Sequence, residues 1–417
     1  MNSTADPISD PHRFTFLFHQ TNTQVLLLGD VMLGRLIDAA VLPHPVEDEW
    51  EGERSMTAIG QVFRSEHRVP TDSDACYARL WGDTADILRA SACNMINLEF
   101  CFNARGRKFQ PKRFNFRAHP ANVGALTFVP VHFACLANNH ILDYQAEGLS
   151  ETLNVLEQAR IPFAGAGHNI DEASRPVEIV LPNLHHRLHV TSFADHGSGV
   201  AAPGGTDLWA ASGAQPGIWY VPVGELDAHA RATLSSTIRE STERINSSLS
   251  VVSAHVGPNW SWDVSPELRL LATSLVREGG VGLFHGHSSH HIQGVEFIDG
   301  KPVIYGAGPF VDDYAIDSQF RNDLGFIYQY ELPPAEPPPL GDRDDHHHIE
   351  AGLAVVWAHP IRIRDFRVKR ILSAEDPDFK WLAATMRRLC HKLGSIAEVA
   401  EETGASGPCI RVSPLVG

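Results

Sequence analysis

Cysteine is scarce in this 417-residue chain, at six residues (Cys76, Cys93, Cys101, Cys135, Cys390 and Cys409), and no two are spaced as CxxC. That spacing offers no zinc knuckle or thioredoxin-like pair. Four of the six sit inside apolar stretches, so free thiols buried as small hydrophobes are expected rather than disulfides. Positive charge is also short: 34 Lys and Arg against 50 Asp and Glu leave a formal net charge of -16. A nucleic-acid surface needs a basic stripe, and an anionic membrane needs a basic face. Neither partner is expected. No apolar run approaches the roughly 20 residues that span a bilayer. The start, "MNSTADPISDPHRF", lacks the charged and apolar regions of a signal peptide, so a cytoplasmic location is expected.

What the chain does have is alternation. Short apolar runs interleave with helical patterns, which predicts an α/β layered fold. "VLLLGD" (25–30), "CNMINLE" (93–99), "FACLANNH" (133–140), "LSVVSAH" (249–255), "VGLFHGH" (281–287) and "PVIYGAG" (302–308) read as buried strands. Leu149, Leu153, Leu156 and Ala159 recur at helical spacing, with Asp143 as the expected N-cap and Pro162 as the stop. A second helix is marked by Ser265 as N-cap, Pro266 at the first position and Gly279 past its end. "LPPAEPPPLGDRDDHHHIE" reads as a loop, and its histidines (His346, His347, His348) as solvated. "AGLAVVW" and "RIRDFRVKRIL" look strand-like. The expected organisation is a segment 1–20, a catalytic domain 21–372 and a helical extension 373–417.

Chemistry gathers where the apolar runs end. Five of them terminate in Asp30, Glu99, Asn138-Asn139-His140, His255, and His287 with His290 and His291. In open α/β sheets, ligands bind beyond the carboxyl ends of the strands. One buried histidine is an ordinary core residue, whereas five such endings predict one convergent site.

These segments resemble the CapA family, the poly-γ-glutamate-biosynthesis branch of the calcineurin-like metallophosphoesterases. The resemblance rests on "LLLGDVMLGR" (26–35), "NLE" (97–99), "LANNHILDYQAEGLSETLNVLEQARIPFAGAG" (136–167), "SAHVGPNW" (253–260) and "HGHSSHHIQGVEFIDGKPVIYGAGPFVDDY" (285–314). It implies two β-sheets packed as a sandwich, flanked by helices, with the site at the sheet edges. It also implies a pair of metals about 3.5–4 Å apart. Three departures argue against that pair. The Asp-x-His motif reads Asp30-Val31-Met32, and a thioether does not replace an imidazole on a hard or borderline metal. Gly-Asp is matched only by Asn97-Leu98-Glu99. Gly-His-x-His is stretched to Gly286-His287-Ser288-Ser289-His290.

The remaining oxygen donors, Asp30, Glu99, Asn138 and Asn139, with His255, suit one hard divalent cation, Ca²⁺ before Mg²⁺ or Mn²⁺. Histidines held by carboxylates suit proton transfer: His140 with Asp143, and His287 or His290 with Asp30 or Asp313. Arg35 is placed to hold a carboxylate, and Asn259, Trp260 and His291 to line a substrate pocket. Pro309, in "GAGPF", removes a backbone donor at the rim. The resemblance extends to a subgroup of epimerases that invert the C-terminal residue of ribosomal, lasso-type precursor peptides with one Ca²⁺ and two His/Asp pairs. Such a peptide is the expected substrate, and self-association is left open. The competing expectations are a metal-dependent phosphoesterase or hydrolase, a CapA-type role in capsule synthesis, and a non-catalytic binding module.

Overall fold

The computed structural model describes residues 15–18, 22–47, 49–110, 112–195, 209–245, 247–333, 354–401 and 407–415. Two large sheets face each other, as the α/β sandwich expectation requires. One has seven strands in the order Thr15–Leu17, Val177–Leu181, His186–Ala194, Leu249–His255, Leu283–His287, Lys301–Ile304, Val295–Ile298. The other follows the order Ser395–Glu401, Pro408–Pro414, Val356–Arg364, Leu324–Glu331, Gln24–Val31, Cys93–Leu98, Phe133–Cys135, Phe163–Ala164.

Strand periodicity explains the layers. Successive side chains of a strand point to opposite faces. Val251 and Leu283 face the main core between the sheets, while Val252 and Phe284 join a second cluster, with Leu271 and Leu275 of the helix Pro266–Arg277. His285 crosses the interior, its Nε2 lying 2.8 Å from the Leu28 carbonyl oxygen of the opposite sheet. Gln24–Val31, Cys93–Leu98 and Phe133–Cys135 run parallel, and so do His186–Ala194, Leu249–His255 and Leu283–His287. Their carboxyl ends therefore open on a common edge.

The six sequence-read strands are present: 249–255 keeps its bounds, 25–30 gains a residue at each end, and the others are shortened at one end or more. "FACLANNH" keeps only Phe133–Cys135, because the chain turns away to present its asparagines and His140. The helix Pro266–Arg277 starts as expected, with Ser265 Oγ accepting from Leu268 N at 3.1 Å. The helix Gln145–Gln158 does not: its N-cap is Tyr144 without a side-chain bond, because Asp143 is engaged in the site. The expected helical extension is one helix, Pro377–Lys392, followed by two strands that complete the large sheet. Thr15–Leu17, assigned to a separate segment, is the edge strand of the first sheet. All six cysteines are free and buried. His346, His347 and His348 lie outside the described residues. No helix among the described residues is long and apolar enough to cross a membrane.

The strand bearing Asp30 is held by a close backbone approach. Asp30 N donates to Gly308 O at 3.0 Å, and a Cβ on Gly29 would stand 1.7 Å from that same oxygen. Gly29→Ala must therefore force the strand Pro309–Val311 away from Asp30. The expected cost is about 3 kcal/mol of unfolding free energy in a urea titration. An unchanged midpoint would mean the two strands are not held this closely.

Candidate metal and acid–base centre

The strand ends deliver two adjoining groups of donors. Asp30, His255 and His287 form one, and Asp30, Glu99 and His290 form the other, each with its ligand atoms within 4.8 Å of one another. The two groups share Asp30. Of the cradle expected from sequence, Asp30, Glu99 and His255 come together here, and His287 and His290 join them. All five residues are buried.

His290 reaches Asp30 because of the extra residue in "HGHSSHH". Ser288 at φ +106 and His290 at φ +58 take left-handed conformations that cost a non-glycine residue energy. Those two turns absorb the insertion and set His290 Nδ1 3.1 Å from Asp30 Oδ2. Asn97 braces the cradle: its Nδ2 lies 2.8 Å from Asp30 Oδ1, 3.0 Å from Glu99 Oε2 and 3.2 Å from His255 Nδ1. Asn138 braces Asn97 in turn, donating to its Oδ1 at 3.1 Å and to Leu98 O at 2.7 Å. Asn138 Oδ1 accepts from His140 N at 3.0 Å, so the amide links the cradle to His140. Asn139 Oδ1 sits 3.2 Å from His255 Nε2, at the rim of the first group.

One atom stands out. Glu99 Oε1 is buried without a hydrogen-bond partner among the described residues. His290 Nε2 is 3.8 Å from it and His255 Nε2 is 3.9 Å. Burial first, and then the Asp30 carboxylate, push the Glu99 carboxyl well above its ordinary range. Burial also works against Asp30 as an anion, but the hydrogen bond and charge of His290 hold it well below that range. An unpaired buried carboxylate oxygen facing two imidazoles is the environment that a divalent cation satisfies. The residues therefore fit a bound metal. Met32, where the Asp-x-His motif has its histidine, is buried and donates its backbone N–H to Val311 O at 2.8 Å.

The acid–base pair lies beside the cradle. His140 Nδ1 is 2.6 Å from Asp143 Oδ2, which also accepts from Phe116 N at 2.6 Å. The Phe116 ring stacks on the imidazole with centroids 4.0 Å apart. Burial, opposed by Asp143, lowers the His140 ring to about 4, so it is neutral near pH 7. With the proton on Nδ1 facing the carboxylate, Nε2 is left as the acceptor. Sequence reasoning missed the third member: Lys112 Nζ donates to Asp143 Oδ1 and to Asn139 O, and lies 3.1 Å from His140 Nδ1. Its signal was hidden in the charged loop "GRKFQPKRF".

The remaining expected site residues divide. Arg35 Nε contacts Glu51 Oε2 at 3.0 Å and Asp313 Oδ2 at 3.2 Å, with the guanidinium 5.1 Å above the Phe116 ring. Asp313 is therefore the partner of Arg35 and of Leu36 N, not of a histidine, which corrects its expected role. Among the described residues His287 hydrogen-bonds no carboxylate: its Nδ1 faces His255 Nδ1 at 3.0 Å and its Nε2 faces Ser253 Oγ at 3.2 Å. The second imidazole–carboxylate pair is His290 with Asp30. Trp260 is partly exposed at the mouth, 5.8 Å from the His290 ring, whereas Trp262 packs inward against Trp381. His291 turns away from the cradle to stack on Phe320 at 4.6 Å, and Asn259 Oδ1 accepts from Ser288 Oγ at 3.4 Å.

Residues 24–314 match the family described as bacterial capsule synthesis protein PGA_cap. A probable polyglutamine synthesis accessory protein of Mycobacterium tuberculosis is 32% identical over 379 residues, covering 89% of this chain and 92% of its own. The capsule biosynthesis protein CapA of Bacillus anthracis is 24% identical over 343 residues, covering 80% and 73%. A crystal structure described as a novel phosphatase from Mycoplasma pneumoniae covers 84% of this chain and 92% of its own, at 11% identity and a TM-score of 0.37.

Proposed function

Because the chain belongs to the PGA_cap family of capsule synthesis proteins, we propose that it is a metal-dependent hydrolase acting on an amide-linked, carboxylate-bearing chain of the kind its relatives' names point to. The observation that carries this is the unpaired, buried Glu99 Oε1 beside Asp30, His255 and His290. Asp30, Glu99 and His290 would hold a divalent cation, Ca²⁺, Mg²⁺ or Mn²⁺, with His255 and His287 as a second, more nitrogen-rich position. Bound there, a cation polarises a carbonyl and lowers the pKa of water. His140, oriented by Asp143, moves a proton through Nε2. Arg35 holds a substrate carboxylate, and the buried walls exclude bulk water.

A second reading is favoured by the second pair, His290 Nδ1 with Asp30 Oδ2 at 3.1 Å. Two imidazole–carboxylate pairs could remove and return a Cα proton, which is epimerisation of a peptide's C-terminal residue, the lasso-type precursor reaction. One experiment separates the two. Glutamate oligomers and C-terminally varied peptides are incubated with the metal-loaded protein in D₂O and, separately, in H₂¹⁸O. Hydrolysis puts ¹⁸O into new carboxylates and shortens the chain. Epimerisation puts deuterium at Cα at constant length. Neither label across both substrate sets would refute both readings.

A further inference from the structure

Beside His140 lies a cavity of about 580 Å³ whose polar lining is mostly cationic: Arg35, Lys108, Lys112, Arg113 and Arg117, with Asn115 among them and Glu49 and Glu51 opposing. In a chain of formal charge -16, that is a local reversal of sign. Lys108 and Arg117 share the buried Glu49, at 2.6 Å each, and Arg35 is tied to Glu51. Arg113 is exposed, stacks on Phe114 at 5.1 Å and forms no ion pair among the described residues. Asn115 is 7% exposed; its Nδ2 donates to Lys112 O at 3.0 Å, while its Oδ1 is buried without a partner among the described residues.

We propose that this cavity is the binding groove for an extended, amide-linked chain bearing several carboxylates. Arg113 and Lys108 take carboxylates at the outer end, Asn115 Oδ1 accepts an amide N–H, and Arg35 and Lys112 lead the chain to His140. The two kinds of group are what select the class. Cations alone would take any polyanion, whereas a lone buried acceptor needs a donor that phosphate esters lack. The groove rests on the reading of His140 as the reacting end, since Lys112 binds the Asp143 that orients it.

The test uses the full chain and labelled oligomers: γ-linked glutamate, α-linked glutamate, glutamine and polyphosphate. One of the glutamate oligomers should bind at least about tenfold more tightly than glutamine, and the tighter linkage names the source. Arg113→Glu should weaken it about tenfold, and rising salt should weaken it further. Asn115→Ala should weaken glutamate binding but not polyphosphate binding. Equal binding of glutamine, indifference to Arg113→Glu, or polyphosphate binding as tight as glutamate would overturn the groove. Arg113 is exposed, so its variant should keep the wild-type unfolding midpoint. His140→Gln separates the two proposals: it should leave oligomer binding intact even where no turnover of any kind is found.

Discussion

Glu99→Gln is expected to abolish tight divalent-metal binding while making the metal-free protein more stable, two effects of opposite sign from one substitution. In the metal-free chain, the Glu99 carboxyl is buried beside the Asp30 carboxylate with one oxygen unpaired, and both effects push it toward the protonated form. Holding the charge there, or taking up a proton to remove it, costs stability either way. Glutamine keeps the shape, still accepts from Asn97 Nδ2, and removes the repulsion with Asp30. It also removes one of the two carboxylates able to neutralise a cation. Wild-type protein should therefore gain thermal stability on adding metal and lose it with chelator, as binding to the native state requires. The variant should show neither shift, a higher metal-free midpoint, and affinity lower by at least about a hundredfold. Metal content per chain after dialysis, with thermal unfolding with and without chelator, reads both effects. Stoichiometric metal retained by Glu99→Gln would remove Glu99 from the cradle, and with it the observation on which the proposed function stands.

How much of this was legible beforehand divides by distance along the chain. Strands and helix starts are local: alternation, Ser265-Pro266 and the terminal polar residues survive folding almost unchanged, and the strand-end rule brought Asp30, Glu99, His255 and His290 to one place. Where tertiary contacts compete with local ones, the local reading failed. Asp143 is a good N-cap by position, yet two donors from elsewhere, Lys112 and Phe116 N, together with the neighbouring His140, claim its carboxylate and leave the helix uncapped. Asp313 sits two residues from the strand that flanks Asp30, yet Arg35 takes it. Lys112 gave no signal because a lysine in a charged loop looks solvated until the chain folds it over Trp209. The C-terminal strands were hidden for a related reason: "SIAEVAE" and "PCIRVSP" become strands through pairing with each other and with Val356–Arg364.

His140→Gln tests the other half of the centre, and it should separate turnover from both metal and stability. His140 belongs to neither donor group, so metal content should match wild type. Its ring is neutral, so glutamine leaves no buried charge unpaired and keeps a polar partner for Asp143. Turnover, by whichever isotope label the oligomer or peptide experiment detects, should fall by about 10²–10⁴, the usual worth of a positioned proton-transfer group. Asp143→Asn should lose comparable turnover by letting the imidazole adopt the wrong tautomer, but it also strips the partly buried Lys112 of its counter-charge. Breaking a fully buried pair on one side costs about 3–5 kcal/mol, and a partly buried one less, so this variant alone should unfold earlier than wild type. The double variant should be no slower than either single one, because the two residues act as a unit. Additive losses of turnover would instead mean that His140 and Asp143 serve separate steps, and the pair would no longer be the acid–base group of this site.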